Sequence, residues 1–153
     1  MLNSIETRKM IIAVDFDGTI VEHRFPAIGK ERLFAFETLK ALQRNGHLLI
    51  LWTFRSGKLL DEAVEYCRKH GIEFYAVNNS YPEEEYTDEI SRKVNADIFI
   101  DDRNFGGVPG WGEIYQELCL LDSEKMRDNY WQRHKAAEKR TLRGLIKRIF
   151  SLH

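Results

Sequence analysis

The run Met10-Ile11-Ile12-Ala13-Val14 is apolar at every position and leads directly into Asp15-Phe16-Asp17-Gly18-Thr19. An unbroken apolar run does not alternate, so it predicts a strand buried on both faces, as in parallel sheets. Parallel strands need long crossovers, usually helical, which steers the chain toward an α/β architecture. Two carboxylates and a turn-forming Gly then fall where the strand ends, the edge at which open α/β sheets bind ligands. Taken alone, the pentapeptide is equally a strand followed by an ordinary Asp/Gly turn.

The chain beyond it repeats the alternation of strand and helix. A loop from Gly18 to Gly29 precedes a predicted helix over Lys30–Arg44, with Leu33, Phe36, Leu39, Ala41 and Leu42 near helical spacing. Asn45-Gly46 closes it as a C-cap. His47–Trp52 reads as a second strand, and Gly57–His70 as a helix with Leu60, Val64 and Cys67 inward. Ile72–Val77 is a third strand and Asn78–Thr87 a loop. A short helix is expected before a fourth strand, Ala96–Ile100, and a last one over Trp111–Leu121 after a Gly-rich loop. The fold expected is a three-layer, Rossmann-like α/β sandwich with a central parallel sheet covered on both faces. Right-handed crossovers align all strand C-termini along one edge.

The 153 residues suit one domain, with residues 1–122 as its body and 123–153 as an extension. No apolar stretch approaches the roughly 18 residues a membrane span needs. The first nine residues lack the apolar core of a signal peptide, so the expected location is cytoplasmic. Cys67 and Cys119 match no metal or redox spacing and read as buried free thiols. Residues 123–153 hold nine Lys/Arg against three Asp/Glu, a net of +6, which leaves the body at −7. This tail reads as a helix whose Leu142, Leu145, Ile146, Ile149 and Phe150 form an apolar stripe beside Arg140, Arg143, Lys147 and Arg148. Such a stripe packs on its own domain or on a second copy in a homo-oligomer, docks on another protein, or lies on an anionic membrane surface. Nucleic acid is disfavoured, because Tyr130 and Trp131 are the only interleaved aromatics and the body is acidic.

Further chemistry falls at or near the same sheet edge. Thr53 follows the second strand, Asp101-Asp102 follow the fourth, and Lys93 stands eight residues before Asp101. Clustered carboxylates repel one another and call for a cation, and an all-oxygen set suits Mg²⁺. A carboxylate also serves as a nucleophile, forming an aspartyl-phosphate. Thr and Lys supply a hydroxyl and a positive charge for the oxygens of a transferring phosphoryl group.

Asp15-x-Asp17-Gly18-Thr19, Thr53 at a strand end, Lys93 and Ile100-Asp101-Asp102 resemble, in order, the four signature motifs of the haloacid dehalogenase (HAD) superfamily. The resemblance covers about residues 10–120, and the Ser91-Arg92-Lys93 and Gly107-x-Pro109-x-Trp111-Gly112 segments further resemble small bacterial members regarded as phosphatases. It implies a Mg²⁺-dependent phosphomonoester hydrolase with Asp15 as nucleophile and metal ligand. Asp17 would be the general acid and base, its backbone carbonyl binding the metal. Thr53 would orient the phosphoryl group, Lys93 would neutralise it, and Asp101 and Asp102 would complete the metal site. The intervals Thr19–Thr53 and Thr53–Lys93 leave no room for a cap domain. Arg55, Arg103 and Asn104 near the edge either bind the non-reacting part of a phosphorylated substrate or order their loops. Trp111 either stacks on a substrate ring or anchors a loop. A HAD-like scaffold acting through its basic tail is the alternative function. A response-regulator receiver is disfavoured because here the Lys precedes the last acidic pair.

Overall fold

The computed structural model describes residues 9–120. The basic tail, residues 123–153, lies outside these described residues, as do the readings made for it. Four strands, β1 (Ile11–Val14), β2 (Leu48–Leu51), β3 (Ala76–Val77) and β4 (Ile98–Ile100), form one parallel sheet in the order β3-β2-β1-β4. Helices α1 (Ala35–Arg44), α2 (Gly57–Lys69) and α3 (Trp111–Cys119) complete the α/β architecture. The first strand is central, as its unbroken apolar run requires, and Ile12, Ala13 and Val14 are all buried. Among the described residues no helix is long and apolar enough to cross a membrane.

The two faces of the sheet are covered differently. Ile12, Val14, Leu49, Leu51 and Ile100 meet all three helices in one core that includes Phe36, Leu39, Leu42, Ala63, Cys67, Trp111 and Ile114. The alternate residues Ala13, Ile50, Ala76 and Phe99 form a second, smaller cluster. Among the described residues its cover comes from the segment before β4, through Val94 and Ala96. The expected short helix in that segment is absent; Thr87–Ile90 makes a single turn closed by the Ile90 N–H on the Thr87 carbonyl. Thr87-Asp88-Glu89-Ile90 offers one apolar position, too few to hold a helix against the sheet.

Two other boundaries also differ from expectation. Helix α1 begins at Ala35 rather than Lys30, because residues 30–32 pair back onto the loop after β1. The Glu22 N–H donates to the Lys30 carbonyl at 2.7 Å and the Arg32 N–H to the Ile20 carbonyl at 2.9 Å. Backbone bonded in that way cannot also form a helical turn. Phe34 then reverses the chain with φ +65°, and Leu33 turns outward instead of into the core. The third strand is reduced to two residues; it is an edge strand that pairs with β2 alone.

Trp111 is an anchor and does not stack on a ligand. Its side chain is buried, its indole Nε1 donates to the Thr19 carbonyl at 2.8 Å, and the Trp111 carbonyl accepts from the Thr38 hydroxyl at 3.1 Å. Both cysteines are free thiols; Cys67 is buried, which pushes its thiol up to about 12, while Cys119 is only partly covered. Replacing Trp111 with Phe leaves the Thr19 carbonyl without its partner and should lower unfolding free energy by roughly 1–3 kcal/mol in urea titrations.

Candidate active site

Register brings the carboxylates together. Val14 pairs with Ile100 and with Leu51 on opposite sides of β1. The next residue along each strand therefore stands beside Asp15: Asp101 on one side and Trp52 on the other. The Asp15 N–H continues the ladder, donating to the Ile100 carbonyl at 2.9 Å.

After Asp15 the chain folds into a tight turn, with the N–H groups of Thr19, Ile20 and Val21 all directed at the Phe16 carbonyl. Gly18 sits in this turn with φ +90°, and a Cβ there would collide with the Asp102 carboxylate. Glycine is thus demanded both by conformation and by space. The turn buries Thr19, whose hydroxyl donates to Asp15 Oδ2 at 3.0 Å and accepts the Asp102 N–H at 3.0 Å. One hydroxyl therefore ties the loop after β1 to the loop after β4.

Carboxylate oxygens from Asp15, Asp101 and Asp102 all lie within 4.8 Å of one another. Asp102 Oδ1 is buried and has no hydrogen-bond partner. A buried acceptor without a donor is costly, and a cation would satisfy it. The residues therefore fit a hard, oxygen-preferring ion such as Mg²⁺. Burial pushes the Asp15 carboxyl up to about 6; the charges of Asp101 and Asp102 add to the rise, while hydrogen bonds from the Phe16 N–H and Thr19 oppose it.

Asp17 occupies a different environment two residues away. Arg55 Nε donates to its Oδ2 and Nη2 to its Oδ1, both at 2.7 Å. The same guanidinium donates to the carbonyls of Pro26 at 3.0 Å and Ala27 at 2.9 Å, with the rings of Phe16 and Phe25 at 5.0 and 5.4 Å from its carbon. Arg55 is only 1% exposed. Of its two readings, substrate contact and loop ordering, the described contacts are of the second kind: it faces inward and holds Asp17, tying that side chain to the loop at Pro26–Ala27. With its carboxylate so engaged, Asp17 has only its backbone carbonyl to offer a metal.

The remaining expected residues divide. Thr53 lies at the end of β2, its N–H donating to Asn78 Oδ1 at 2.8 Å and its hydroxyl accepting the Arg55 N–H at 3.3 Å. Lys93 is exposed, and its ammonium lies 5.4 Å from the centre of the Phe99 ring, in no ion pair among the described residues. Phe99 is two residues before Asp101, so Lys93 approaches the edge without reaching a carboxylate. Arg92, the competing cation, lies over the ring of Tyr86 at 4.2 Å. The Asn104 side chain donates to the Phe99 carbonyl and orders the loop, while Arg103 is exposed and its N–H donates to Asp101 Oδ1. Thr19 and Asn78 are site residues that sequence reasoning did not single out. Thr19 stood within the motif, and Asn78, held at φ +53°, carried no signal beyond its place after the third strand.

No protein-family model matches the sequence, and no curated protein matches it. Among solved structures it is similar to a conserved protein coded by a locus of Bacteroides thetaiotaomicron, with 63% identity and a TM-score of 0.68, covering 71% of this chain and 88% of that one. The chain belongs to the same family as that conserved protein.

Two measurements probe the site without assuming a reaction. Arg55→Ala removes one partner of a buried pair and should destabilise the fold by roughly 3–5 kcal/mol in chemical denaturation. Asp15 carries a folded value near 6 against an ordinary 3.8, so between these values the folded state binds more protons than the unfolded one. Stability then falls as pH rises through that window, and the penalty is complete above about 6. In metal-free buffer Asp15→Asn should be more stable than wild type at pH 7, the difference vanishing near pH 4.

Proposed function

We propose that the protein is a Mg²⁺-dependent phosphomonoester hydrolase of the HAD type, acting through an aspartyl-phosphate on Asp15. The observation that carries this reading is the split environment of the two carboxylates in one pentapeptide. Asp15 stands with Asp101 and Asp102 around a position suited to a cation, while Asp17 is held apart by Arg55. Paired carboxylates with separate surroundings are a pattern of acid/base assignment in hydrolases.

The roles follow. An Asp15 carboxylate oxygen attacks phosphorus, and the ester oxygen departs with a proton that Asp17 carries on an oxygen released from Arg55. Water then attacks the phospho-aspartate, giving its proton back to Asp17 and releasing phosphate and the free Asp15 carboxylate. Thr53 and Lys93 bind the non-bridging oxygens, Lys93 swinging in from beside Phe99. Asp15, Asp101, Asp102 and the Asp17 carbonyl would hold Mg²⁺, which would supply positive charge for those oxygens. Arg55 positions Asp17. The substrate is a phosphorylated molecule, reached without a cap domain, and the location that suits this reading is the cytoplasm.

Hydrolysis of an aryl phosphate should require Mg²⁺, stop with EDTA and return when Mg²⁺ is restored. Asp15→Asn should reduce turnover to background; sustained turnover by that variant would refute the reading.

A further inference from the structure

Leu33 fits the apolar spacing of a helix, yet it and its neighbour Phe34 point away from the core. Leu33 is 77% exposed and Phe34 is 53% exposed. Phe34 also holds φ +65°, the left-handed region that a bulky residue adopts only at a cost. Glycine would occupy that position more cheaply. The ring does not compensate through full burial, although it passes near Gly112 of α3, where an added Cβ would lie 4.0 Å from Phe34 Cδ2.

What the two side chains do share is a cleft of about 780 Å³ beside Gly18 and Asp102, in which Leu33 and Phe34 are the apolar walls and the rest of the lining, Lys30, Arg32 and Glu37 included, is largely charged. Gly18 and Asp102 also belong to the candidate active site, so the cleft opens directly beside Asp15 and its neighbours. A phosphate ester seated at Asp15 would have its alcohol portion next to this space. The volume suits a small organic group, and the mixed lining suits a planar one with polar edges more than an acyl chain. An exposed aromatic face at the wall is the natural partner for such a ring.

We propose that this cleft is the subsite for a planar ring borne by the phosphorylated substrate, with Phe34 as its stacking face and Leu33 as its apolar flank. The proposal rests on the phosphatase reading above. Lys30 and Glu37 meet the polar edge of the ring, and the strained backbone at Phe34 is retained because it aims the side chain at the cleft.

The test compares 1-naphthyl phosphate with acetyl phosphate, which transfers the same group without a ring. In Phe34→Gly the ratio of kcat/KM for naphthyl to acetyl phosphate should fall about fivefold to tenfold, mainly through KM. The variant should be at least as resistant to urea as wild type, since Gly relieves the backbone, and Phe34→Tyr should keep the ratio. Phe54→Ala and Phe105→Ala remove the two most exposed aromatics elsewhere on the described surface and should leave the ratio unchanged. An unchanged ratio in Phe34→Gly, or a fall caused instead by Phe54→Ala or Phe105→Ala, would overturn the proposal. A titration of 1-naphthyl phosphonate by fluorescence separates the two readings. Binding that weakens in Phe34→Gly, in a protein that turns over neither substrate, keeps the subsite and removes the phosphatase. Absence of both binding and turnover removes both.

Discussion

The parallel pairing of β1 with β4 is the constraint from which the site follows. Register sets Val14 against Ile100, so the first residue past each strand is an aspartate facing another aspartate. Neither can move away without breaking the ladder bond from the Asp15 N–H to Ile100. The repulsion is built into the sheet. Around it the chain arranges what it can: the Thr19 hydroxyl, the Phe16 N–H and a glycine that lets Asp102 approach. These donors do not neutralise three acids, and one buried oxygen of Asp102 is left without a partner. A hard cation would satisfy that oxygen.

The turn at Phe16–Gly18 then makes two neighbouring carboxylates diverge. Asp15 stays with the acids of β4, while Asp17 swings to a guanidinium enclosed by two aromatic rings and two carbonyls. The bidentate geometry fixes the plane of the Asp17 carboxylate as well as its position. Lysine at position 55 would supply charge without that plane. The contrast with Lys93 is instructive. One cation is locked and structural, while the other is exposed on a flexible stem beside Phe99.

Much of this was legible in the sequence, and the failures have physical causes. The apolar runs at 10–14 and 47–52 specify central strands because nothing polar interrupts them. The edge position of Asp15, Thr53 and Asp101 follows from those strands and from the handedness of crossovers. Arg55 was legible as a residue near the edge, but its direction was not, since inward and outward guanidinium groups have the same spacing. Its partners, the Pro26 and Ala27 carbonyls, belong to a loop that no periodicity describes. Helix α1 was read five residues too long because Leu33 fits the apolar pattern; backbone pairing of residues 30–32 with 20–22 is a long-range effect that overrides local spacing. The short helix before β4 failed for the opposite reason, as its segment had too little apolar surface to be held.

Thr19 joins features that are far apart along the chain. Its carbonyl receives the Trp111 indole, while its hydroxyl bridges Asp15 and the loop of Asp102. The third helix is therefore wired to the carboxylates through a single buried residue, and a change in how α3 seats is felt at Asp15 as a change in geometry. The smallest fragment that could keep this site ordered has to run past Trp111, nine residues beyond Asp102. Order among the carboxylates and the seating of the third helix are, in this chain, joined at one side chain.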